Sequence, residues 1–217
     1  MIAIKPSAEI ISGNDYRQML EKIERIGRVC YKSENAIHPG SAERFIQNII
    51  TRGHESVIEH ESISVRVVCD RGVSHEIVRH RIASYSQEST RYCNYTQDRF
   101  GSQLLCIDIA TGFRYDLDDP ADRKKYELWT AAMESAERFY FQLIEAGARP
   151  EEARSVLPNS LKTEIVMTMN LREWRHFFRL RTSRRAHPQI AEIASALLEE
   201  FASRYPVFFG DLLGPAE

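Results

Sequence analysis

Two stretches of this chain alternate between apolar and polar residues in the way that half-buried β-strands do. They span residues 61–70 and 161–170, and shorter strands are expected within residues 1–12 and 103–109. The positions that share one face are Ile63, Val65, Val67 and Cys69 in the first stretch and Leu161, Thr163, Ile165, Met167 and Met169 in the second. The pattern therefore predicts a small sheet with one buried face.

Apolar residues at helical spacing predict the other elements. Asn14 and Ser41 are the expected N-caps of two helices, and Gly53 is expected to end the second. Further helices are predicted just after Gly72, from about Arg123 to Ala146, around Ala148–Arg154, from Leu171 to about Leu180, and from about Pro188 to Arg204. The long helix has a predicted core stripe of Leu128, Ala132, Met133, Ala136, Phe139, Tyr140 and Leu143, and Asp116–Lys125 before it is expected to be a surface loop.

The composition is that of a globular protein. The chain has 217 residues, of which 43% are hydrophobic and 28% charged, and its net charge is −2. This size predicts one α+β domain, and the charge argues against a general nucleic-acid binder. The start lacks the plan of a signal peptide and no apolar run could span a bilayer, so a cytoplasmic protein without membrane contact is expected. The four cysteines form no Cys-x-x-Cys pair, which predicts reduced thiols and no metal site.

Candidate chemistry concentrates in residues 76–95. Arg79, His80 and Arg81 stand together, a hydroxyl- and amide-rich run follows, and Arg91 closes the segment. Arginine forks and hydroxyl groups together suit phosphate. A solvated basic turn after a helix would explain the first three residues, because cations are favourable at a helix C-terminus, but it leaves Ser89 and Arg91 unexplained.

A second candidate region is the predicted helix that begins at Leu171. Its spacing places Arg172, His176 and Arg179 on one face. The opposite face carries Leu171, Trp174, Phe177, Phe178 and Leu180. Arg181 would point into that apolar face if it were helical, and a buried unpaired charge is costly. Either the helix ends before Arg181, or Arg181 meets an anion or a carboxylate.

The order Arg79-His80-Arg81, seven residues, then Ser89 and Arg91 resembles the signature of the flavin-dependent thymidylate synthases. Three further elements resemble that family. They are His54-Glu55-Ser56, Ala153-Arg154-Ser155-Val156-Leu157-Pro158, and Asn170-Leu171-Arg172 with His176 and Leu180-Arg181. The resemblance implies an α+β fold with a small, mostly antiparallel sheet and several long helices, and a homotetramer with shared active sites.

The resemblance also implies the reaction: reductive methylation of dUMP to dTMP, with 5,10-methylenetetrahydrofolate as one-carbon donor and FAD reduced by NADPH as hydride source. The implied FAD-binding residues are His54, Ser56, Arg79, His80, Arg81, Gln87, Asn170, Leu171, Arg172 and His176. The implied dUMP-binding residues are Glu76, Arg79, Gln87, Glu88, Ser89, Thr90, Arg91, Arg154 and Arg181. His187 and Gln189 are weaker flavin-side candidates.

Arg181 is the expected catalytic group at the pyrimidine edge. A guanidinium stays protonated, so it would stabilise developing negative charge rather than act as a base. No cysteine follows a proline, the setting of the nucleophile in the other thymidylate synthase class. Two alternatives stay open. One is a nucleic-acid binder that uses Arg172, Arg175, Arg179, Arg181, Arg184 and Arg185, and the other is a flavin reductase that is indifferent to dUMP.

Overall fold

The structure is a computed structural model that describes residues 1–93, 95 and 101–214. These residues divide into two compact units. Unit 1 comprises Met1–Ser7, Val67–Arg79 and Ser86–Val166, and unit 2 comprises Ala8–Arg66, His80–Tyr85 and Met167–Glu217. The single-domain organisation expected from the sequence stays a prediction.

The strands form two small sheets. They are β1 (Ile2–Ile4), β2 (Ser7–Ser12), β3 (Ser62–Asp70), β4 (Ser84–Gln87), β5 (Leu105–Ile107) and β6 (Lys162–Asn170). β1 pairs with β5 in parallel, with Ala3 opposite Cys106. The other four strands form an antiparallel sheet in the order β2-β3-β6-β4.

Helices account for most of the remaining regular structure. They are α1 (Tyr16–Tyr31), α2 (Ser41–Thr51), α3 (Arg71–Ile77), α4 (Ile109–Phe113), α5 (Pro120–Glu145), α6 (Pro150–Ala153), α7 (Leu171–Arg181), α8 (Pro188–Arg204) and α9 (Pro206–Phe209). Short 3-10 helices occupy Glu34–Ala36, Glu55–His60, Arg154–Val156 and Gly210–Leu212. The predicted α+β class is confirmed. Among the described residues, no helix is long and apolar enough to cross a membrane.

The alternation read from the sequence is confirmed in both long strands. In β3 the side chains of Ile63, Val65 and Val67 are fully buried, and in β6 Ile165 and Met167 are. One face of each strand is therefore removed from water, as the period of two requires.

Several predicted helix ends were wrong. Asp15, not Asn14, caps α1 by accepting from the N–H groups of Arg17 and Gln18 at 2.9 and 3.4 Å, and Asn14 instead donates to Glu61 at 2.7 Å. Ser41 is the first residue of α2 rather than its cap, and its hydroxyl donates to the buried carboxylate of Glu24. Gly53 lies just beyond α2 with a φ of 73°, the left-handed conformation expected of a glycine that ends a helix.

The start of α5 also differs from the prediction. Asp119 caps the helix and Pro120 is its first residue, so the last part of the expected Asp116–Lys125 loop is helical. Pro at the first helical position and Asp at the cap are the usual signals for such a start. In the predicted core stripe, Tyr140 is fully buried, but Leu128 and Phe139 are 59% and 51% exposed.

Each unit has its own apolar core. In unit 2, α7 and α8 bring Trp174, Phe178 and Phe201 together, with the Trp174 and Phe201 rings 4.9 Å apart. In unit 1, Leu104 and Leu161 pack around the buried ring of Tyr140. The unit 2 core fixes α7, and the polar face of that helix carries one group of the candidate residues.

Candidate active site

Helix α7 presents its polar face to a cleft in unit 2. Asn170 caps the helix by accepting from the N–H of Glu173 at 2.9 Å. The predicted placement of Arg172, His176 and Arg179 on one face is confirmed, since all three line the cleft. Its volume is about 470 Å³, and its walls are completed by Glu55, Glu59, Ile82, Asn170 and Glu173. That size and polarity suit a small-molecule ligand.

The arginines of this cleft are already paired with carboxylates. Arg172 donates to Glu59 at 2.5 Å, and Arg179 donates to Glu55 at 2.8 Å. Burial alone would raise the pKa of Glu55, but Arg179 and Arg175 outweigh it and the pKa is lowered. Arg172 and Glu59 are both about half exposed, and such ion pairs contribute only about 0–1 kcal/mol, so an anionic ligand could displace this pair.

His80 lies at the centre of a hydrogen-bonded group in unit 2. Its ring is buried, its Nδ1 lies 3.2 Å from Glu173 Oε1, and its Nε2 accepts from Arg181 Nε at 3.1 Å. The hydroxyl of Tyr85 donates to the His80 carbonyl at 2.6 Å. Burial, then the electrostatic influence of Arg181 and His176, lower the pKa of His80 to about 4. The ring is therefore neutral near pH 7.

The structure decides whether the helix ends before Arg181, which the sequence left open. Helix α7 includes Arg181, so the expected earlier end of the helix was wrong. The side chain is half-buried, and its Nε donates to the ring of His80. Leu180, predicted on the apolar face, is 46% exposed.

Arg175 was predicted to belong to a basic cluster, but its side chain is buried. It is 1% exposed and binds Glu55, Asp211 and the Phe208 carbonyl. It lies four residues after Leu171 and three before Phe178, so the same helical spacing already placed it in the apolar stripe. With Arg175 buried and Arg172 and Arg179 paired, the six arginines do not form one free basic face. A nucleic-acid binder that uses all six arginines therefore loses Arg175, which is not at the surface.

The other unit 2 candidates are dispersed. His54 is exposed and shares a 2.6 Å hydrogen bond with the hydroxyl of Tyr31. Ser56 and Arg81 are exposed as well. Leu171 is fully buried and its N–H donates to the Glu61 carbonyl at 3.0 Å, so its side chain does not reach the cleft. Their roles stay predictions.

Unit 1 brings together the candidates for phosphate binding. Arg154 donates to Thr90 Oγ1 at 3.4 Å, across 64 residues of sequence. Ser89 Oγ accepts from the N–H of Arg91 at 3.3 Å. The side chains of Arg91 and Arg154 are exposed, and the Arg91 guanidinium stands 5.4 Å from the centre of the Tyr92 ring. The Arg154 guanidinium thus lies beside the Thr90 hydroxyl, and guanidinium and hydroxyl groups together suit a phosphate.

Two of the other unit 1 candidates, Gln87 and Glu88, are hydrogen-bonded to neighbouring side chains. Gln87 Nε2 donates to Ser74 Oγ at 2.9 Å and to Thr163 Oγ1 at 3.2 Å. The Glu88 carboxylate accepts from Lys162 at 3.0 Å. Lys162, which the sequence analysis did not single out, also donates to Glu164 at 2.6 Å. Glu76 is half-buried and Arg79 is exposed.

One group of side chains has the composition of a metal site. The ligand atoms of His80, Glu173 and His176 lie within 4.8 Å of one another. Both ring nitrogens of His80 are hydrogen-bonded, however, and the cationic Arg181 donates to one of them. A cation would have to replace those bonds beside a guanidinium, so we interpret the group as a hydrogen-bonded network.

The four cysteines carry free thiols. Burial raises the pKa of the Cys69 thiol to about 12 and that of Cys106 to about 11. Since a thiolate is the reactive form, these two thiols are poor nucleophiles.

The chain is similar to known proteins over most of its length. The model of the family "Thymidylate synthase complementing protein" matches residues 14–207. A Pyrococcus furiosus protein is 36% identical over 188 residues, which cover 85% of this chain and 73% of the relative. A Pyrococcus abyssi protein is 34% identical over 212 residues, covering 93% and 83%.

A Geobacter sulfurreducens protein is 35% identical over 191 residues, covering 85% of this chain and 78% of the relative. All three relatives are named flavin-dependent thymidylate synthase. The resemblance read from residues 79–91 is thereby confirmed. The chain belongs to the thymidylate synthase complementing protein family.

Proposed function

We propose that this protein is a flavin-dependent thymidylate synthase that methylates dUMP to dTMP. The proposed net reaction converts dUMP, 5,10-methylenetetrahydrofolate, NADPH and a proton to dTMP, tetrahydrofolate and NADP⁺. The names of its relatives support the flavin and the product. The structural observation that carries the proposal is the contact of Arg154 with Thr90, which adds a second guanidinium to the Ser89–Arg91 segment.

In this proposal unit 1 holds the nucleotide. Arg91 and Arg154, with Ser89 and Thr90, bind the 5′-phosphate. The two exposed guanidinium groups supply charge, and the hydroxyls supply directional hydrogen bonds. Glu76, Arg79, Gln87 and Glu88 are proposed to contact the rest of the nucleotide. Thr163 and Ser74 fix the Gln87 amide, so its orientation is set before a ligand arrives.

The residues of the unit 2 cleft fit a flavin dinucleotide by the chemistry of their donors. Arg172 and His176 offer N–H groups to an anion, and Asn170 marks the N-terminal end of a helix, where negative charge is favourable. The proposed FAD-binding residues are these three together with His54, Ser56, Arg79, His80, Arg81, Gln87 and Leu171. FAD, once reduced by NADPH, would supply the hydride.

The protein's own contribution to the chemistry is electrostatic. Arg181 is proposed to stabilise negative charge that develops on the pyrimidine ring, as an oxyanion-hole donor does. Ser89 is proposed to bind rather than attack, and the raised pKa values of Cys69 and Cys106 agree with a reaction that uses no thiol nucleophile.

We also propose a homotetramer with shared active sites. The exposed apolar side chains of Leu128 and Phe139 on α5 support contact with another copy, which would remove them from water. The mass of the purified protein in solution tests the assembly. Mixing the Arg91→Ala and Arg181→Ala variants tests the sharing, because activity should return only if the two residues of one site come from different subunits.

The visible absorbance spectrum of the purified protein is the first test of the proposed reaction. Flavin bands should be present, bleach with NADPH, and return faster when dUMP and methylenetetrahydrofolate are added, with dTMP as the product. A colourless protein that takes up no added FAD would contradict the proposal. A flavin that is reoxidised at the same rate without dUMP would favour the flavin reductase instead.

A further inference from the structure

The hydrogen bonds around His80 determine which of its ring nitrogens carries the proton. Arg181 Nε can only donate, so His80 Nε2, 3.1 Å away, must accept. In a neutral imidazole the other nitrogen then carries the hydrogen. Nδ1 lies 3.2 Å from Glu173 Oε1, which accepts from it. The three side chains therefore form a hydrogen-bonded chain. Arg181 donates to His80, and His80 donates to Glu173.

The three side chains are held by packed elements of unit 2. Glu173 lies in the first turn of α7, where its own N–H is fixed by the Asn170 cap. Arg181 is the last residue of the same helix. The His80 ring packs edge-on against Phe177, with ring centres 5.0 Å apart. This packing and the burial of the ring restrict its movement.

The Glu173 carboxylate is buried, so it needs a hydrogen-bond donor. It is only 9% exposed, and burial raises its pKa. Its neighbour Arg172 makes its shortest contact with Glu59, at 2.5 Å, rather than with Glu173. A buried carboxylate is costly unless hydrogen-bonded, and the His80 Nδ1–H meets that need.

We propose that Glu173 is a positioning residue: it holds His80 in the Nδ1–H form, so that Nε2 accepts from Arg181 and fixes the guanidinium. The inference rests on the proposed function, which assigns Arg181 to the pyrimidine. Without an acceptor at position 173, the His80 proton can move to Nε2, where it would face the Arg181 N–H. Two donors would then oppose each other, and the guanidinium would lose its hydrogen bond to His80.

The tautomer of His80 can be measured without any enzymatic assay. Protein labelled with ¹⁵N in histidine is compared by NMR for the wild type, Glu173→Leu and Glu173→Gln, with the His80→Gln variant identifying the His80 signals. We expect the Nδ1–H form in the wild type and a mixture of both forms in Glu173→Leu. An Nε2–H wild type, or an unchanged His80 signal in Glu173→Leu, would overturn the inference.

Turnover supplies the second measurement. Glu173→Leu should lower kcat about tenfold, the effect of losing one charge-assisted hydrogen bond, with an unchanged flavin content. Glu173→Gln keeps an acceptor oxygen and should retain more of the rate, which also covers the case in which Glu173→Leu fails to fold. Glu199→Gln, an exposed carboxylate on α8, is the matched control and should behave as the wild type.

The two measurements separate the inference from the function on which it rests. A shifted tautomer with an unchanged kcat would leave Glu173 a merely structural residue and overturn the positioning role. Wild-type protein that forms no dTMP would contradict the proposed function, whereas the NMR result on His80 would stand by itself.

Discussion

Arg175 and Asp211 form a two-pronged ion pair. Both terminal nitrogens of the buried guanidinium donate to the carboxylate, each at 2.7 Å. The pair ties α7 to the 3-10 helix Gly210–Leu212. It matters because Arg175 is 1% exposed while the Asp211 side chain is 51% exposed, so a substitution at the accessible partner changes the environment of the buried charge.

Asp211→Asn should destabilise the protein by about 2 kcal/mol, since it leaves a buried guanidinium facing an amide N–H₂. Burial alone would raise the pKa of Asp211, but Arg175 holds it below its usual range, which agrees with a strong pair. The measurement is the denaturant midpoint. Asp118→Asn is the control, because Asp118 is fully exposed and 3.7 Å from Arg123. Equal midpoints for both variants would contradict the prediction.

Gly27→Ala should destabilise the protein although alanine is the better helix former. A Cβ at this position of α1 would lie 2.6 Å from an edge carbon of the Phe45 ring. Overpacking of this kind costs about 1–3 kcal/mol. Gly210→Ala is the matched control, because nothing lies within 4 Å of its Cβ and its φ is −61°. The midpoint of thermal unfolding should be lower for Gly27→Ala than for the wild type, and it should be unchanged for Gly210→Ala.

Arg91→Ala should weaken dUMP binding about 10- to 100-fold, the loss expected when a phosphate loses a charged donor. Arg138→Ala is the control, since both guanidinium groups are exposed and stand over an aromatic ring, at 5.4 and 5.3 Å. Calorimetric titration with dUMP measures both. Unchanged affinity in Arg91→Ala would remove the phosphate assignment and favour the flavin reductase.

His80 should make the protein less stable in mild acid. Its pKa is lowered from 6.5 to about 4 by burial, Arg181 and His176, so between these values the folded state binds fewer protons than the unfolded state. Stability is then fully present above pH 6.5 and declines as the pH falls towards 4, by about 1–3 kcal/mol. The raised pKa of Glu173 acts in the opposite sense and offsets part of the decline.

The test compares denaturant midpoints at pH 7.5 and pH 5. His80→Gln should lose less stability between the two values than the wild type. The exposed histidine His75 provides the control, and His75→Gln should follow the wild type. An identical decline in all three proteins would show that His80 does not cause it.

The sequence determined the elements that depend on local periodicity. The alternation in β3 and β6 and the polar face of α7 were read correctly, because side-chain direction follows from backbone geometry alone. The motif from Arg79 to Arg91 likewise identified the family. Asn14 and Asp15 could each cap α1. A contact outside the helix decides between them, because the Asn14 amide donates to Glu61 and leaves Asp15 as the cap.

Only the tertiary structure decided which polar residues are buried and with whom. The acceptors of Arg175 come from Glu55 and from Asp211, which lie 120 and 36 residues away in sequence. Arg181 Nε donates to the His80 ring, 101 residues away in sequence, and Glu173 contacts the same ring from 93 residues away. Such pairings depend on how packed elements bring distant residues together, and burial then selects the protonation state of each group.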